Sequence, residues 1–168
     1  MELSHIVYIS VGSNLGDKLL NCQTGIHALS KPSRSVLKGK SSYYLTGPVD
    51  YPDQDWFVNA VVKIETSLEP PAVLKELKLI ERQAGRTQQA VRFGPRTLDL
   101  DILFYDDAMM DTPELVVPHP RLHKRCFVLK PMCDIDPWMI HPVLKKNMRR
   151  LLCELEKMEP QQVRFLCD

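Results

Sequence analysis

The run Thr97–Tyr105 restricts the fold more than any other segment, because apolar and polar residues alternate along it. Successive side chains of a β-strand point to opposite faces, so the apolar residues of this run share one face while Asp99 and Asp101 share the other. The run therefore predicts a strand that packs one face on the core and presents two neighbouring carboxylates on the other.

Hydrophobic periodicity predicts strands and helices in alternation along the rest of the chain. Ser13 or Asn14 is predicted to cap the first helix. The predicted elements are a strand at Ile6–Val11, a helix over Leu19–Leu29, strands at Ser41–Leu45 and Phe57–Glu65, a helix over Val73–Ala84, the strand Thr97–Tyr105, a helix over Pro120–Asp134, a helix with an apolar stripe from Leu144 to Leu155, and a strand at Val163–Leu166. A β-α-β-β-α-β order is the ferredoxin-like arrangement, an antiparallel sheet flanked by helices, so we expect an α+β fold.

The overall composition excludes several classes of protein. The 168 residues contain no internal repeat, which favours a single domain. Lys and Arg number 22 against 21 Asp and Glu, so no global field would hold the chain on a nucleic acid or a membrane. No apolar run reaches the roughly 18 residues of a membrane-spanning helix, and the five cysteines form no C-x-x-C pair. We expect a cytoplasmic protein with reduced thiols.

The charges are nevertheless sorted into blocks along one part of the chain. Residues 86–96 carry three arginines and no acid, residues 97–111 carry five aspartates and no base, and residues 119–130 carry four Lys and Arg and no acid. An isolated pair of aspartates on a strand more often lies on a solvated face and forms salt bridges with neighbouring arginines. With arginine blocks on both sides, the pair favours a site for a metal-bound polyphosphate, since Mg²⁺ takes carboxylates and arginine neutralises the remaining oxygens.

Three other motifs are less specific. The segment Gly12–Gly16 lacks the G-x-G-x-x-G and P-loop patterns, so we interpret it as a strand-to-helix turn. His119 and His123 are four residues apart, a spacing that can bind zinc on a helix, but Pro120 places His119 at or before the predicted helix start. His119 is therefore a candidate hydrogen-bond donor to phosphate, or equally a capping or packed histidine. Phe57 and Asn59 share one strand face, which suits a flat heterocycle but is also typical of a core phenylalanine beside a structural asparagine.

The run Arg92–Leu103, in which Gly-Pro-Arg precedes an Asp-Leu-Asp strand, resembles the signature of the 6-hydroxymethyl-7,8-dihydropterin pyrophosphokinases, enzymes of folate synthesis. The similarity extends to about Leu155 and includes, in family order, residues 11–16, 57–60, 80–86, 117–121 and 125–127. It implies a single pyrophosphokinase domain over residues 1–168 that transfers pyrophosphate from Mg-ATP to the pterin hydroxymethyl group and releases AMP. The family is usually monomeric, so we expect a monomer.

The resemblance also implies roles for individual residues. Asp99 and Asp101 would ligate two Mg²⁺ ions, and Arg86 and Arg96 would assist the transfer. The residues implied in ATP binding are Leu74, Glu81, Ile102, Leu115, Val116, His119, Arg121 and Arg125. Those implied in pterin binding are Thr46, Val49, Phe57, Asn59 and Phe127, with the two phenylalanines stacking on the ring and the amide reading its edge.

Two other function classes stay open at this stage. A metal-dependent phosphohydrolase could use the same two aspartates without a pterin acceptor. A non-catalytic ferredoxin-like module could bind RNA, since residues 38–45 faintly resemble an RNP1 box without its aromatic spacing. Gln88, Phe93 and Gly47 stand where some pyrophosphokinases have Arg, Trp and Pro. We expect residues 86–96 to form a loop that closes over the substrates, so the changes at Gln88 and Phe93 predict altered affinity and closure rate more than an altered reaction.

Overall fold

The computed structural model describes residues 5–31, 33–48, 53–85 and 94–166, so the predictions for Val49, Arg86, Gln88 and Phe93 lie outside the described residues. The elements in chain order are β1 (His5–Ser13), α1 (Lys18–Leu29), β2 (Ser35–Lys40), β3 (Tyr43–Thr46), β4 (Phe57–Thr66), α2 (Pro70–Gln83), β5 (Asp99–Tyr105), β6 (Met110–Asp111), β7 (Val116–Val117), a 3₁₀ turn (Leu122–Lys124), α3 (Cys126–Ile135), α4 (Met148–Met158) and β8 (Val163–Leu166). No described helix is long and apolar enough to cross a membrane.

The main sheet has the strand order β5-β1-β4-β3-β8, and β2 pairs with the other half of β4. Every pairing in it is antiparallel. β2 and β3 together occupy one position beside β4 and count as the second strand of the β-α-β-β-α-β unit. The first and third strands of that unit, β1 and β4, are then central, and the fourth, β5, lies at an edge. The predicted ferredoxin-like α+β fold is therefore confirmed.

Helices cover both faces of this sheet. On one face α1 and α2 pack on a core that includes Val7, Ile9 and Val11 of β1. On the other face α3 and α4 pack on a second core that includes Tyr8, as the two-residue period of a strand requires. The apolar residues of the run behave as predicted, since Leu98, directly before β5, and Leu100, within it, are buried in the first core. The two aspartates between and beyond them consequently point away from α1 and α2.

The predicted cap of the first helix is wrong. β1 continues to Ser13, and the carboxylate of Asp17 accepts a hydrogen bond from the Leu20 amide at 3.0 Å, which makes Asp17 the N-cap of α1. Ser13 and Asn14 are buried instead. The capping-type residue nearest the helical stripe is the one that caps, and Asn14 is thereby released for another role.

Two predicted helix starts are also wrong. The predicted helix from Pro120 begins only at Cys126, because Arg125 is extended, with φ −126° and ψ 102°. The predicted stripe from Leu144 begins at Met148, because Asn147 caps α4 by accepting from the Arg150 amide at 2.8 Å. The extended backbone at Arg125 and the side-chain cap at Asn147 mark these boundaries, which the apolar spacing did not indicate. Strand β2 was not predicted from the sequence, and its pairing with β4 is interrupted by a bulge near Gly39.

Candidate active site

A cavity of about 310 Å³ opens at one end of the sheet, between β1, β3, β4, β5 and the start of α3. Ten of the residues singled out from the sequence lie together in it, although they are spread over residues 46–127 of the chain. They are Thr46, Phe57, Asn59, Arg96, Asp99, Asp101, His119, Arg121, Arg125 and Phe127. Ser10 and Gln54 also line the cavity and were not anticipated.

Five candidate residues for ATP binding lie elsewhere in the structure. Leu74 and Leu115 are half-buried and pack against the first core, Val116 is half-buried in β7, and Ile102 is buried in β5. Glu81 is fully buried in α2, where one carboxylate oxygen accepts from the Leu100 amide at 2.8 Å and the other from Lys78 at 3.1 Å. Glu81 therefore satisfies an amide on the outer edge of β5, between the two aspartates.

Asp99 and Asp101 enter the cavity from β5, opposite Gly12 and Ser10 of β1. The Arg96 guanidinium contacts the Asp99 carboxylate at 2.5 Å. Burial, followed by the nearby charge of Asp99, raises the pKa of Asp101 from 3.8 to about 6, although the charges of Lys78 and Arg125 act in the opposite direction. The second carboxylate is thus held in surroundings that disfavour its charged form.

This arrangement fits a divalent cation. Carboxylate oxygens are the protein ligands that Mg²⁺ prefers, and a bound cation relieves both the repulsion between Asp99 and Asp101 and the loss of hydration. Among the described residues no group of three or more His, Cys, Asp or Glu side chains could hold a metal ion. The remaining ligands of a cation here would therefore be water or substrate oxygens, as is usual for Mg²⁺ at phosphate sites.

The raised pKa predicts how Asp101 affects stability in the absence of metal. The folded state binds this proton more tightly than the unfolded state, so its contribution to stability is complete below about pH 4 and is lost as the pH rises through about 6. We expect Asp101→Asn, in EDTA, to raise the free energy of unfolding at about pH 7.5 by roughly 1–3 kcal/mol, with no gain at about pH 4.

Urea unfolding at the two pH values measures this effect. Asp107→Asn is the matched control, because Asp107 is an exposed residue of the turn after β5. A gain of equal size at both pH values would contradict the prediction, since it would not depend on the charge of Asp101.

Asn14 supports the cavity from behind its lining, a role that was not predicted from the sequence. Its side-chain oxygen accepts from the main-chain amide of Arg96 at 2.7 Å, and its main-chain amide donates to the main-chain carbonyl of Arg96 at 3.0 Å. Its side-chain nitrogen donates to Gln54 at 3.0 Å. The buried Asn14 thus connects the β1–α1 turn to two cavity-lining segments. The sequence did contain a hint of this role: Asp17, a capping-type residue closer to the helical stripe, could cap α1 in place of Asn14.

The opposite wall of the cavity is basic and contains one neutral histidine. Arg121 and Arg125 line it together with His119. Burial, followed by the charges of Arg125 and Arg121, lowers the pKa of His119 to about 4. Its Nδ1 accepts from the Arg121 amide at 3.1 Å, which leaves the proton of the neutral ring on Nε2. His119 can therefore act as a neutral donor beside two guanidinium groups.

An aromatic and amide subsite lies in the same cavity. The side-chain nitrogen of Asn59 donates to the Thr46 hydroxyl at 2.6 Å, and its side-chain oxygen lies over Gly12. A Cβ atom at Gly12 would lie only 2.8 Å from that oxygen, so glycine is needed for this close approach. Phe57 and Phe127 also line this cavity. Such a set can stack on a flat ring and hydrogen-bond its edge.

The fold is a ferredoxin-like α+β fold, and its cavity is lined by acidic, basic and aromatic side chains. Such a cavity can hold a polyanion and a flat ring next to each other. The chain belongs to the 7,8-dihydro-6-hydroxymethylpterin-pyrophosphokinase family, whose model matches residues 8–137. The family resemblance proposed from the sequence is confirmed.

Individual relatives agree with this membership. The 2-amino-4-hydroxy-6-hydroxymethyldihydropteridine pyrophosphokinase of Bacillus subtilis is 42% identical over 133 residues, which are 79% of each chain. The folic acid synthesis protein fol1 of Pneumocystis carinii is 44% identical over 137 residues, 82% of this chain but 18% of that protein. A solved Plasmodium falciparum HPPK-DHPS structure shares the fold, with a TM-score of 0.75 at 17% identity over 93% of this chain and 42% of its own. The chain thus spans most of one relative and a small part of others.

Proposed function

We propose that this protein transfers a pyrophosphoryl group from ATP to 6-hydroxymethyl-7,8-dihydropterin, giving the pterin diphosphate ester and AMP in tetrahydrofolate synthesis. The observation that carries the proposal is that the aspartate pair and the aromatic and amide subsite share one cavity. A phosphoryl donor and a pterin acceptor could therefore be held next to each other, which is the main requirement of such a transfer. Family membership and the names of the relatives support the same reaction.

Asp99 and Asp101 would hold two Mg²⁺ ions, and Arg96 would keep Asp99 oriented when no metal is bound. Bound magnesium would neutralise charge on the triphosphate and align the attacking and leaving oxygens. The buried Glu81 keeps β5 in place behind the pair through its hydrogen bond to Leu100. The carboxylates thus start from a fixed strand rather than a loop.

The basic wall would bind the triphosphate. Arg121 and Arg125 offer planar guanidinium groups that match phosphate oxygens, and Arg86 would join them on the family resemblance. His119 would donate from Nε2 as a neutral ring, because its low pKa keeps it uncharged near pH 7. Contacts from Leu74, Ile102, Leu115 and Val116 to the nucleoside remain predictions from the resemblance.

The pterin would lie between the aromatic rings. Phe57 and Phe127 would stack on its faces, while Asn59 and Thr46 would hydrogen-bond its polar edge, with Val49 nearby on the resemblance. Stacking binds any flat ring, whereas a buried amide rejects rings with the wrong donors and acceptors, because its polar atoms would stay unpaired. Specificity is therefore assigned to Asn59 and affinity to the two rings.

The test is incubation with Mg-ATP, with and without the pterin, followed by chromatography of the nucleotides. We expect AMP only when the pterin is present, with one pterin diphosphate formed per AMP. Phosphate and ADP released without pterin would instead indicate the phosphohydrolase. A chain that produces no AMP and binds RNA in EDTA would contradict the proposal in favour of the RNA-binding module.

A further inference from the structure

The C-terminal segment Pro160–Leu166 contacts two walls of the cavity, although it lies beyond residue 137, where the family match ends. β8 pairs with β3, with Val163 opposite Thr46. The Gly47 amide donates to the carbonyl oxygen of Gln162 at 3.0 Å. This segment therefore supports the wall that contributes Thr46 and Gly47.

On the other wall the same segment holds the main chain around Arg125. The side-chain oxygen of Gln161 accepts from the Cys126 amide at 2.9 Å, and its nitrogen donates to the Lys124 carbonyl at 2.9 Å. A single primary amide thus brackets Arg125 on both sides. These partners are 35 and 37 residues away in sequence, so the contact depends on the tertiary structure.

The two hydrogen bonds of Gln161 stabilise the joint at Arg125, that is, the connection between the 3₁₀ turn and α3. Arg125 is extended between the 3₁₀ turn and α3, and its side chain makes no hydrogen bond that caps α3. The first amides of a helix have no partner within the helix, and Gln161 supplies one for Cys126. The dihedral angles at this joint determine where the Arg125 guanidinium and the Phe127 ring, 5.3 Å apart, enter the cavity.

We propose that Gln161 is a positioning residue for substrate binding, because it fixes the backbone from which Arg125 and Phe127 reach the triphosphate and the pterin. The inference rests on the proposed function, since it assumes that those two residues bind substrate. Gln161 itself would touch neither ligand.

Steady-state kinetics of Gln161→Ala test this role. We expect the KM values for ATP and for the pterin each to rise by about tenfold, since both hydrogen bonds that hold the main chain beside Arg125 are lost. We expect kcat to stay within about twofold, because the aspartates on β5 are not held by Gln161. Gln162→Ala is the matched control, since it removes the same type of side chain from the next position. The Gln162 side chain lies beside Gly47, but the main-chain oxygen that accepts from the Gly47 amide is retained.

Gln161→Glu separates positioning from stability. A carboxylate can still accept from the Cys126 amide and is favourable at a helix N-terminus, but it cannot donate to the Lys124 carbonyl. We expect a melting temperature at or above that of the wild type together with both KM values raised by at least about threefold. Unchanged KM values in both Gln161 variants, or a rise that follows only the loss of melting temperature, would overturn the inference.

Arg125→Ala and Phe127→Ala complete the experiment. If Gln161 acts through these residues, adding Gln161→Ala to Arg125→Ala should change the KM for ATP by less than about twofold. An undiminished effect in that background would overturn the inference alone. If Arg125→Ala and Phe127→Ala leave both KM values unchanged, the assigned substrate site is wrong and the inference is overturned with it.

Discussion

Asp99→Ala and Asp101→Ala are each expected to lower kcat by roughly 10³-fold or more, because either change removes a carboxylate that the proposed metal site requires. Both side chains lie on the face of β5 that points away from the first core, so neither change leaves a cavity beneath α1 and α2. The fold should therefore persist while the reaction is lost. Pterin-dependent AMP formation measures the effect.

Circular dichroism and thermal unfolding should accompany that assay. Asp107→Ala is the matched control, since it removes a carboxylate from the exposed turn just after the same strand. Asp101→Ala should leave the metal-free protein at least as stable as the wild type above about pH 6, because a partly buried carboxylate that Asp99 repels is removed. A variant that is folded and retains wild-type kcat would rule out its aspartate as a metal ligand.

Phe127→Ala is expected to weaken pterin binding by roughly tenfold to a hundredfold, the usual cost of removing an aromatic ring that stacks on a heterocycle. ATP binding should weaken by only about threefold, since the neighbouring Arg125 loses a ring contact but keeps its guanidinium. Calorimetric titration with pterin and with a non-hydrolysable ATP analogue measures the two constants separately.

Trp138→Ala provides the control for loss of an aromatic side chain. Trp138 is exposed, packs near the Arg149 guanidinium at 5.6 Å, and does not line the cavity. We expect this variant to bind both ligands as the wild type does. If Phe127→Ala weakened the two ligands equally, the ring would be supporting the cavity as a whole rather than stacking on the pterin.

The fold was predictable where a local pattern and the tertiary environment agree. The alternation in β5 placed Leu100 in the core and Asp101 in the cavity, because the direction of a side chain on a strand depends only on its position. The start of α3 was not predictable in the same way. A helix from Pro120 was predicted, but the His119 amide donates to the Leu103 carbonyl at 2.9 Å, residues 122–124 form a 3₁₀ turn, and Arg125 is extended.

The sequence by itself determined the antiparallel α+β fold, the faces of its strands, the aspartate pair and the family, since these depend on residue type and short spacing. Only the tertiary structure decided that Asn14 holds Arg96, 82 residues away, and that Gln161 brackets Arg125. It also raised the pKa of Asp101, through burial and the charge of Asp99. Such contacts and fields depend on which distant segments pack together, and local spacing carries no information about that.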